Sequence, residues 1–166
     1  MTTNDEPQWL DEEERAAWIG LMSVLIRVPA ALDRQLRADS GMTNFDYQVM
    51  VILSESPERT LSMSKIAEWT EGTLPRLSQV AARLEKAGWL ERRPDPDDRR
   101  STLATLTAEG FDVLAAAAPL HVAEVRRLVF DPLTRAQVRQ LARIADRILL
   151  SPGSGPDARP VGQTDS

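Results

Sequence analysis

The feature that most constrains the fold is a pair of strand-like segments within a chain that is otherwise patterned as helices. The segments WLERR (89–93) and STLATL (101–106) flank the charged loop PDPDDRR (94–100). Two short strand segments joined by turn residues predict a β-hairpin, here with a long charged tip. Asp95 and Pro96 are typical turn residues, and Asp98 is placed to accept hydrogen bonds from loop amides. Taken alone, a run of mixed charge is most often a solvated surface.

Apolar residues at a helical period predict four helices before the hairpin and two after it. We expect them at about 10–38, 44–54, immediately after Ser62, 73–88, 108–130 and 135–149. Thr43, Thr73 and the pair Thr134 and Gln137 are candidate N-terminal caps, and Pro29 is expected to kink the first helix. A helix-turn-helix followed by a hairpin predicts a mainly α fold, a winged helix-turn-helix with a two-stranded β-wing.

The composition excludes several classes of chemistry. Because it contains no cysteine, the 166-residue chain has no disulfide, no thiolate nucleophile and no Cys/His zinc site. Its single histidine, His121, is accompanied by no G-x-S-x-G motif, and no glycine-rich phosphate loop is present. We therefore expect one domain that is not an enzyme and holds no metal or cofactor. We also expect no apolar run near the ~18 residues of a membrane span, and a cytoplasmic location.

The net charge of −5 is distributed unevenly along the chain. Residues 1–15 contain six acidic side chains against one basic one, an excess of five, so the remainder is neutral overall. Residues 76–100 carry seven basic and five acidic side chains. Because local charge decides whether a polyanion can dock, the acidic total does not exclude nucleic acid as a partner.

The predicted helix TLPRLSQVAARLEKAG (73–88) separates into two faces at about 100° per residue. The inner face carries Leu77, Val80, Ala81, Leu84 and Gly88. The outer face carries Pro75, Arg76, Gln79, Ala82, Arg83 and Lys86. Arginine and glutamine can read base edges in the major groove, while arginine and lysine can meet phosphates. The alternative is the ordinary polar face of a surface helix, and the hairpin that follows favours DNA binding.

The hairpin resembles the wing signature of the MarR family of winged helix-turn-helix regulators at Asp98, Arg100, Leu106 and Thr107. The upstream segment resembles the helix-turn-helix of that family and ends in its Leu-Glu-x-x-Gly-x-hydrophobic-x-Arg pattern. That pattern falls on Leu84, Glu85, Gly88, Leu90 and Arg92. The resemblance covers about residues 15–150. It implies a homodimer in which the first helix and the last two helices of each subunit intertwine. The apolar stripes of these three helices suit that role, and they suit the internal core of a monomer equally well.

Composition predicts a flexible tail (1–9) and a disordered tail (151–166) rich in Gly, Pro and Ser, on either side of a domain (10–150). The resemblance implies dimerisation helices at 10–39 and 108–150 around a winged helix-turn-helix at 43–107. The implied partner is a pseudo-palindromic operator in double-stranded DNA. The candidate DNA-binding residues are Ser64, Thr73, Pro75, Arg76, Ser78, Gln79, Arg83, Lys86, Asp98, Arg99 and Arg100. Pro75 and Arg76 stand where the family more often has small hydroxyl residues, so operator preference does not carry over.

The expected function is that of a homodimeric transcriptional repressor. By family analogy a small aromatic or phenolic effector relieves it, and the candidate ligand-binding residues are Trp18, Met22, Tyr47 and His121. The alternative for these side chains is core packing. The alternative for the whole chain is a winged-helix module that binds another protein and no operator. Arginine at the wing tip argues against that alternative, because a protein-binding wing would not require it.

Overall fold

The computed structural model describes residues 7–70, 72–98 and 100–151, in which six α-helices accompany one small sheet. The elements are α1 (Glu12–Ser40), α2 (Asn44–Ser54), β1 (Thr60–Ser62), α3 (Met63–Trp69), α4 (Leu74–Lys86), β2 (Leu90–Pro94), β3 (Thr102–Leu106), α5 (Ala108–Val125) and α6 (Arg135–Leu149). The predicted mainly α, winged helix-turn-helix fold is confirmed. Most of the two predicted tails, residues 1–6 and 152–166, lies outside the described residues.

Local capping explains where most helices begin. The Thr43 hydroxyl accepts from the Asp46 amide while the Asp46 carboxylate accepts from the Thr43 amide, a reciprocal box at the start of α2. Thr134 and Gln137 form the same box at α6, as predicted. Thr73 caps α4, also as predicted. α1 continues through Pro29, and α5 passes into a π-helical turn at Arg126–Phe130 before α6 begins.

The sheet has three antiparallel strands in the order β1-β3-β2, so the prediction of only two strands was incomplete. β2 and β3 form the predicted hairpin, with Leu90 opposite Leu106 and Pro94 opposite Thr102. β1 adds three residues to the other edge of β3, and the Thr60 and Thr105 hydroxyls lie 2.8 Å apart across that pairing. Three residues are too few to produce a recognisable alternation in sequence, and their pairing depends on a strand over forty residues away.

The hydrophobic core lies between α2, α3, α4, the sheet and the first half of α5. Its buried members include Val49, Leu53, Ile66, Leu77 and Leu84. Burying a leucine or isoleucine side chain stabilises a fold by about 1.5–3 kcal/mol. The inner face predicted for α4 is therefore confirmed, and α4 is held firmly with its polar face outward.

Two helices, α1 and α6, leave much of their apolar surface uncovered. α1 packs against α5 and α2 but buries only Leu36. Trp18 is 53% exposed, and Leu141 and Ile144 on α6 are also exposed. α6 buries no residue at all in the single chain. In the single chain, α1 and α6 therefore contribute little to the buried core.

One helix in the described ranges, α1, has an 18-residue window with the length and composition of a membrane span, at a mean hydropathy of 1.5. The expectation that no apolar run approaches that length was therefore wrong. Such a window is weak evidence for a membrane, because a core helix of a soluble protein and a signal sequence pass the same test. Arg27, within the apolar part of α1, is a charge that a lipid core would disfavour.

Gly110 allows the first turn of α5 to pass close to the backbone of Trp89, between α4 and β2. A Cβ atom at this position would lie 2.2 Å from the Trp89 carbonyl oxygen. We expect Gly110→Ala to lower the free energy of unfolding by about 1–3 kcal/mol, because the contact is with backbone and cannot be relieved by a rotamer change. Urea denaturation would measure this.

Gly20→Ala is the matched control. Gly20 is also helical, and nothing lies within 4 Å of the position its Cβ would occupy. We expect that variant to be unchanged or more stable by up to about 1 kcal/mol, because alanine favours helix over glycine. Equal stability of Gly110→Ala and wild type would contradict the close approach.

Candidate nucleic-acid interface

The outward face of α4 is exposed along its whole length. Its N-terminal part carries Pro75, Arg76 and Gln79, and its C-terminal part carries Arg83 and Lys86. Ser78 is exposed on the flank, and Thr73 occupies the cap. Ser64 is exposed on α3, where its hydroxyl lies 3.1 Å from that of Ser62. The structure thus places the predicted residues of α3 and α4 at the surface.

Arg83 forms an ion pair with Asp46 that joins α4 to the start of α2. The Asp46 side chain is 3% exposed and that of Arg83 is 53% exposed. Asp46 also accepts from the Thr43 amide at 2.8 Å, so its two oxygens serve two different partners. Arg83 was predicted to meet phosphates, and the structure gives it a structural partner as well. The sequence offered no signal for this pair, because its members are 37 residues apart.

Arg76 lies over the ring of Phe45, with its guanidinium carbon 4.2 Å from the ring centroid. A cation above an aromatic face is attracted by the negative charge density of the ring. Phe45 precedes Asp46, so two neighbouring residues of α2 hold two arginines of α4. The outward face of α4 is thereby oriented by the first turn of α2.

The C-terminal end of α4 is closed by Gly88 in a left-handed conformation, with φ of 79°. The Trp89 amide donates to the Leu84 carbonyl oxygen, and the Gly88 amide donates to the Glu85 carbonyl oxygen. These two hydrogen bonds form a Schellman motif. The Thr107 hydroxyl then donates to the Gly88 carbonyl oxygen at 2.7 Å. The chain leaves α4 and returns from the hairpin at the same point.

Glu85 and Arg92 brace the hairpin against α4. Two nitrogens of the Arg92 guanidinium donate to Glu85 Oε2 at 2.6 and 3.1 Å, and the Arg92 amide donates to Oε1 at 3.2 Å. The hydrogen bond from Arg92 lowers the pKa of Glu85 below its ordinary value. These contacts give a physical role to the Leu-Glu-x-x-Gly-x-Leu-x-Arg pattern, which sets the angle between α4 and β2.

The wing tip is a tight turn ordered by its own aspartates. Asp98 Oδ1 accepts from the Arg100 amide at 3.0 Å, and Asp95 Oδ1 accepts from the Asp97 amide at 3.0 Å. The expectation that Asp98 bonds loop amides is confirmed. Arg100 is exposed and forms no ion pair with any other described residue. Arg99, the other predicted tip arginine, lies outside the described residues.

A cavity of about 460 Å³ lies between α1, α2, α3 and α5. Tyr47 and His121 line it, with ring centroids 4.2 Å apart, whereas Trp18 and Met22 do not. The remaining lining residues are Pro29, Leu32, Asn44, Gln48, Val51, Ile52, Trp69 and Thr70. Burial raises the pKa of Tyr47 and lowers that of His121, so the histidine favours its neutral form. Within the described ranges, no three His, Asp or Glu side chains gather as a metal ion would require.

These features define a winged helix-turn-helix protein in which α4 presents a basic face outward and the wing is braced against α4. A sequence profile of the MarR family matches residues 40–101. HTH-type transcriptional regulator PecS of Dickeya dadantii is 38% identical over 132 residues, which are 77% of this chain and 79% of PecS. The chain belongs to the MarR family.

Two further proteins are similar to the chain. Sco3205 of Streptomyces coelicolor, a MarR family transcriptional regulator solved in complex with DNA, is 42% identical with a TM-score of 0.84, covering 92% of this chain and 97% of its own. HTH-type transcriptional regulator PapX of Escherichia coli is 31% identical over 94 residues, 55% of this chain and 57% of PapX. The chain thus spans little more than half the length of some of its curated relatives.

The Arg83–Asp46 pair leads to a stability prediction. Arg83→Ala leaves a buried carboxylate without its cation, so we expect the free energy of unfolding to fall by about 1–2 kcal/mol. The loss is smaller than the 3–5 kcal/mol of a fully buried pair because Arg83 is half exposed to solvent. Lys86 lies on the same face and has no described ion-pair partner. Lys86→Ala should therefore change the free energy of unfolding by less than about 0.5 kcal/mol. Equal urea midpoints for the two variants would contradict a structural role for Arg83.

Proposed function

We propose that this protein is a homodimeric transcriptional repressor that binds a pseudo-palindromic operator in double-stranded DNA. The observation that carries the proposal is the ion pair between Glu85 of α4 and Arg92 of β2, which braces the wing against the helix that bears the exposed polar face. A helix of this kind fits the major groove, and a wing tip bearing arginine fits the adjacent minor groove. Sco3205, similar over most of both chains, is a MarR family regulator in complex with DNA.

The charge distribution supports docking on a polyanion. Arg100 and Lys86 are exposed and have no described ion-pair partner, while Asp95 and Asp98 at the tip accept from loop amides. Asp95 and Asp98 therefore help to shape the loop that presents the arginine. Binding should draw mainly on phosphate contacts and weaken steeply as salt is raised.

The dimer is proposed from the surfaces that one chain leaves uncovered. α6 has one apolar side, which includes Val138, Leu141 and Ile144, yet buries no residue. α1 exposes Trp18 and Leu25 in the same way. Apolar surface on this scale favours association, and two subunits would present two recognition helices to half-sites about 10 bp apart.

Relief by a small aromatic ligand is the regulatory part of the proposal. The cavity between α1 and α2 offers the Tyr47 and His121 rings together with polar groups on Asn44 and Gln48. A cavity of several hundred cubic ångströms suits a small molecule. A ligand there would contact α1 and α2. Because Phe45 and Asp46 of α2 contact Arg76 and Arg83 of α4, binding would alter the orientation of α4.

Removing Arg100 should weaken binding to every duplex by a similar factor. We expect Arg100→Ala to reduce the slope of log affinity against log salt by about one, whereas Gln79→Ala should change base preference by about 1–3 kcal/mol at one position. Gel shifts on fragments from beside the gene would measure both. Arg139→Ala, which removes the same charge from exposed α6, is the control. If the wild type binds no fragment in a salt-sensitive way, a protein-binding winged-helix module is the better interpretation.

Disrupting the apolar side of α6 should produce monomers. We expect Leu141→Glu to shift the protein from dimer to monomer in sedimentation equilibrium and to lower operator affinity at least tenfold, because a buried interfacial carboxylate is costly. Gln140→Glu adds the same charge to a neighbouring exposed position outside the apolar stripe and should remain dimeric. A monomeric wild type, or a fully dimeric Leu141→Glu variant, would contradict the dimer.

A further inference from the structure

The N-terminal tip of α4 presents an apolar surface where a recognition helix approaches base edges. Leu74 is the first residue of the helix and is 52% exposed, and Pro75 beside it is also exposed. Each lies four residues before a polar residue of the predicted interface, Leu74 before Ser78 and Pro75 before Gln79. Residues four apart share a helix face, so Pro75 continues the outward face of α4, and Leu74 lies beside it on the exposed flank that carries Ser78.

The charged neighbours of this pair are engaged elsewhere in the protein. Arg76 lies over the Phe45 ring, and Arg83 is paired with the buried Asp46. The aliphatic side chain of Leu74 and the ring of Pro75 can neither donate nor accept a hydrogen bond. The part of α4 that a major groove would meet first therefore contributes mostly apolar contact.

A single apolar group is exposed on the base edges of the major groove, the 5-methyl group of thymine. We propose that Leu74 and Pro75 read thymine methyl groups in each half-site of the operator. The assignment rests on the proposed DNA-binding function and deepens it. It adds Leu74, which the sequence pattern did not single out, and assigns Pro75 a specific contact.

Replacing thymine by deoxyuridine provides the test, because it removes the methyl group and keeps every hydrogen-bonding atom. With the full-length protein, an operator selected from random duplexes is substituted one thymine at a time, in both half-sites. Burying one methyl-sized group contributes about 0.8 kcal/mol, which corresponds to about fourfold in affinity. We expect wild-type protein to lose about fourfold at one or two thymines per half-site and less than twofold at the others.

The variants assign the effect to the two side chains. In Leu74→Ala and in Pro75→Ala, the loss caused by deoxyuridine should fall below twofold at the thymine that each side chain contacts. Leu10→Ala is the matched control, because it makes the same truncation at a leucine that is 55% exposed and lies outside α4. Leu10→Ala should keep the wild-type pattern, and urea denaturation should find all three variants folded, since the truncated groups are exposed.

The outcomes separate this assignment from the function on which it rests. Operator binding that is insensitive to every deoxyuridine overturns the assignment and leaves the proposed function standing. A sensitivity that survives in both Leu74→Ala and Pro75→Ala also overturns it, because the methyl groups would then act through another residue or through the shape of the DNA. Absence of binding to any duplex overturns the proposed function and the assignment together.

Discussion

The arrangement of the winged domain depends on the hydrogen bonds of one side chain, Thr107. Its hydroxyl donates to the Gly88 carbonyl oxygen and accepts from the Gly110 amide, while its own amide donates to the Trp89 carbonyl oxygen. Three elements meet at this point: the end of α4, the hairpin and the start of α5. Because these contacts involve backbone groups on each element, none can rotate away without breaking at least one of these hydrogen bonds. α4 and the wing are therefore joined to the start of α5 at one point.

α4 is restrained near its C-terminal end by two ion pairs of different character. Arg83 joins it to Asp46 at the start of α2, and Glu85 joins it to Arg92 on β2. The first pair has a buried carboxylate, so losing its cation is costly, whereas both members of the second are partly exposed. Asn44 and Tyr47, which stand on either side of Asp46, line the cavity, whereas neither residue of the second pair does. That asymmetry gives the proposed effector a route to the recognition face that does not require the wing to detach.

The sequence predicted those parts of the fold that depend on local signals. α2 begins where predicted, because Thr43 and Asp46 form a capping box within four residues. The features it did not predict depend on partners distant in the chain. β1 is a strand only because β3 lies beside it, and Arg83 has a structural role only because the fold brings Asp46 to it. Of the four predicted effector residues, Tyr47 and His121 meet in one cavity because α2 packs on α5, and helical periodicity does not report such packing.

The different roles of the residues along α4 also affect how the sequence of such a protein changes in evolution. A substitution at Arg83 or Arg76 alters contacts with Asp46 or Phe45. These two positions are therefore constrained by the stability of the domain, whatever DNA sequence it binds. No comparable structural contact is described for the four other residues of this surface, Leu74, Pro75, Ser78 and Gln79. Duplicated copies of the gene could exchange these four residues and acquire new targets at little cost in stability. The residues that hold the helix and the residues free to vary are interleaved on one surface.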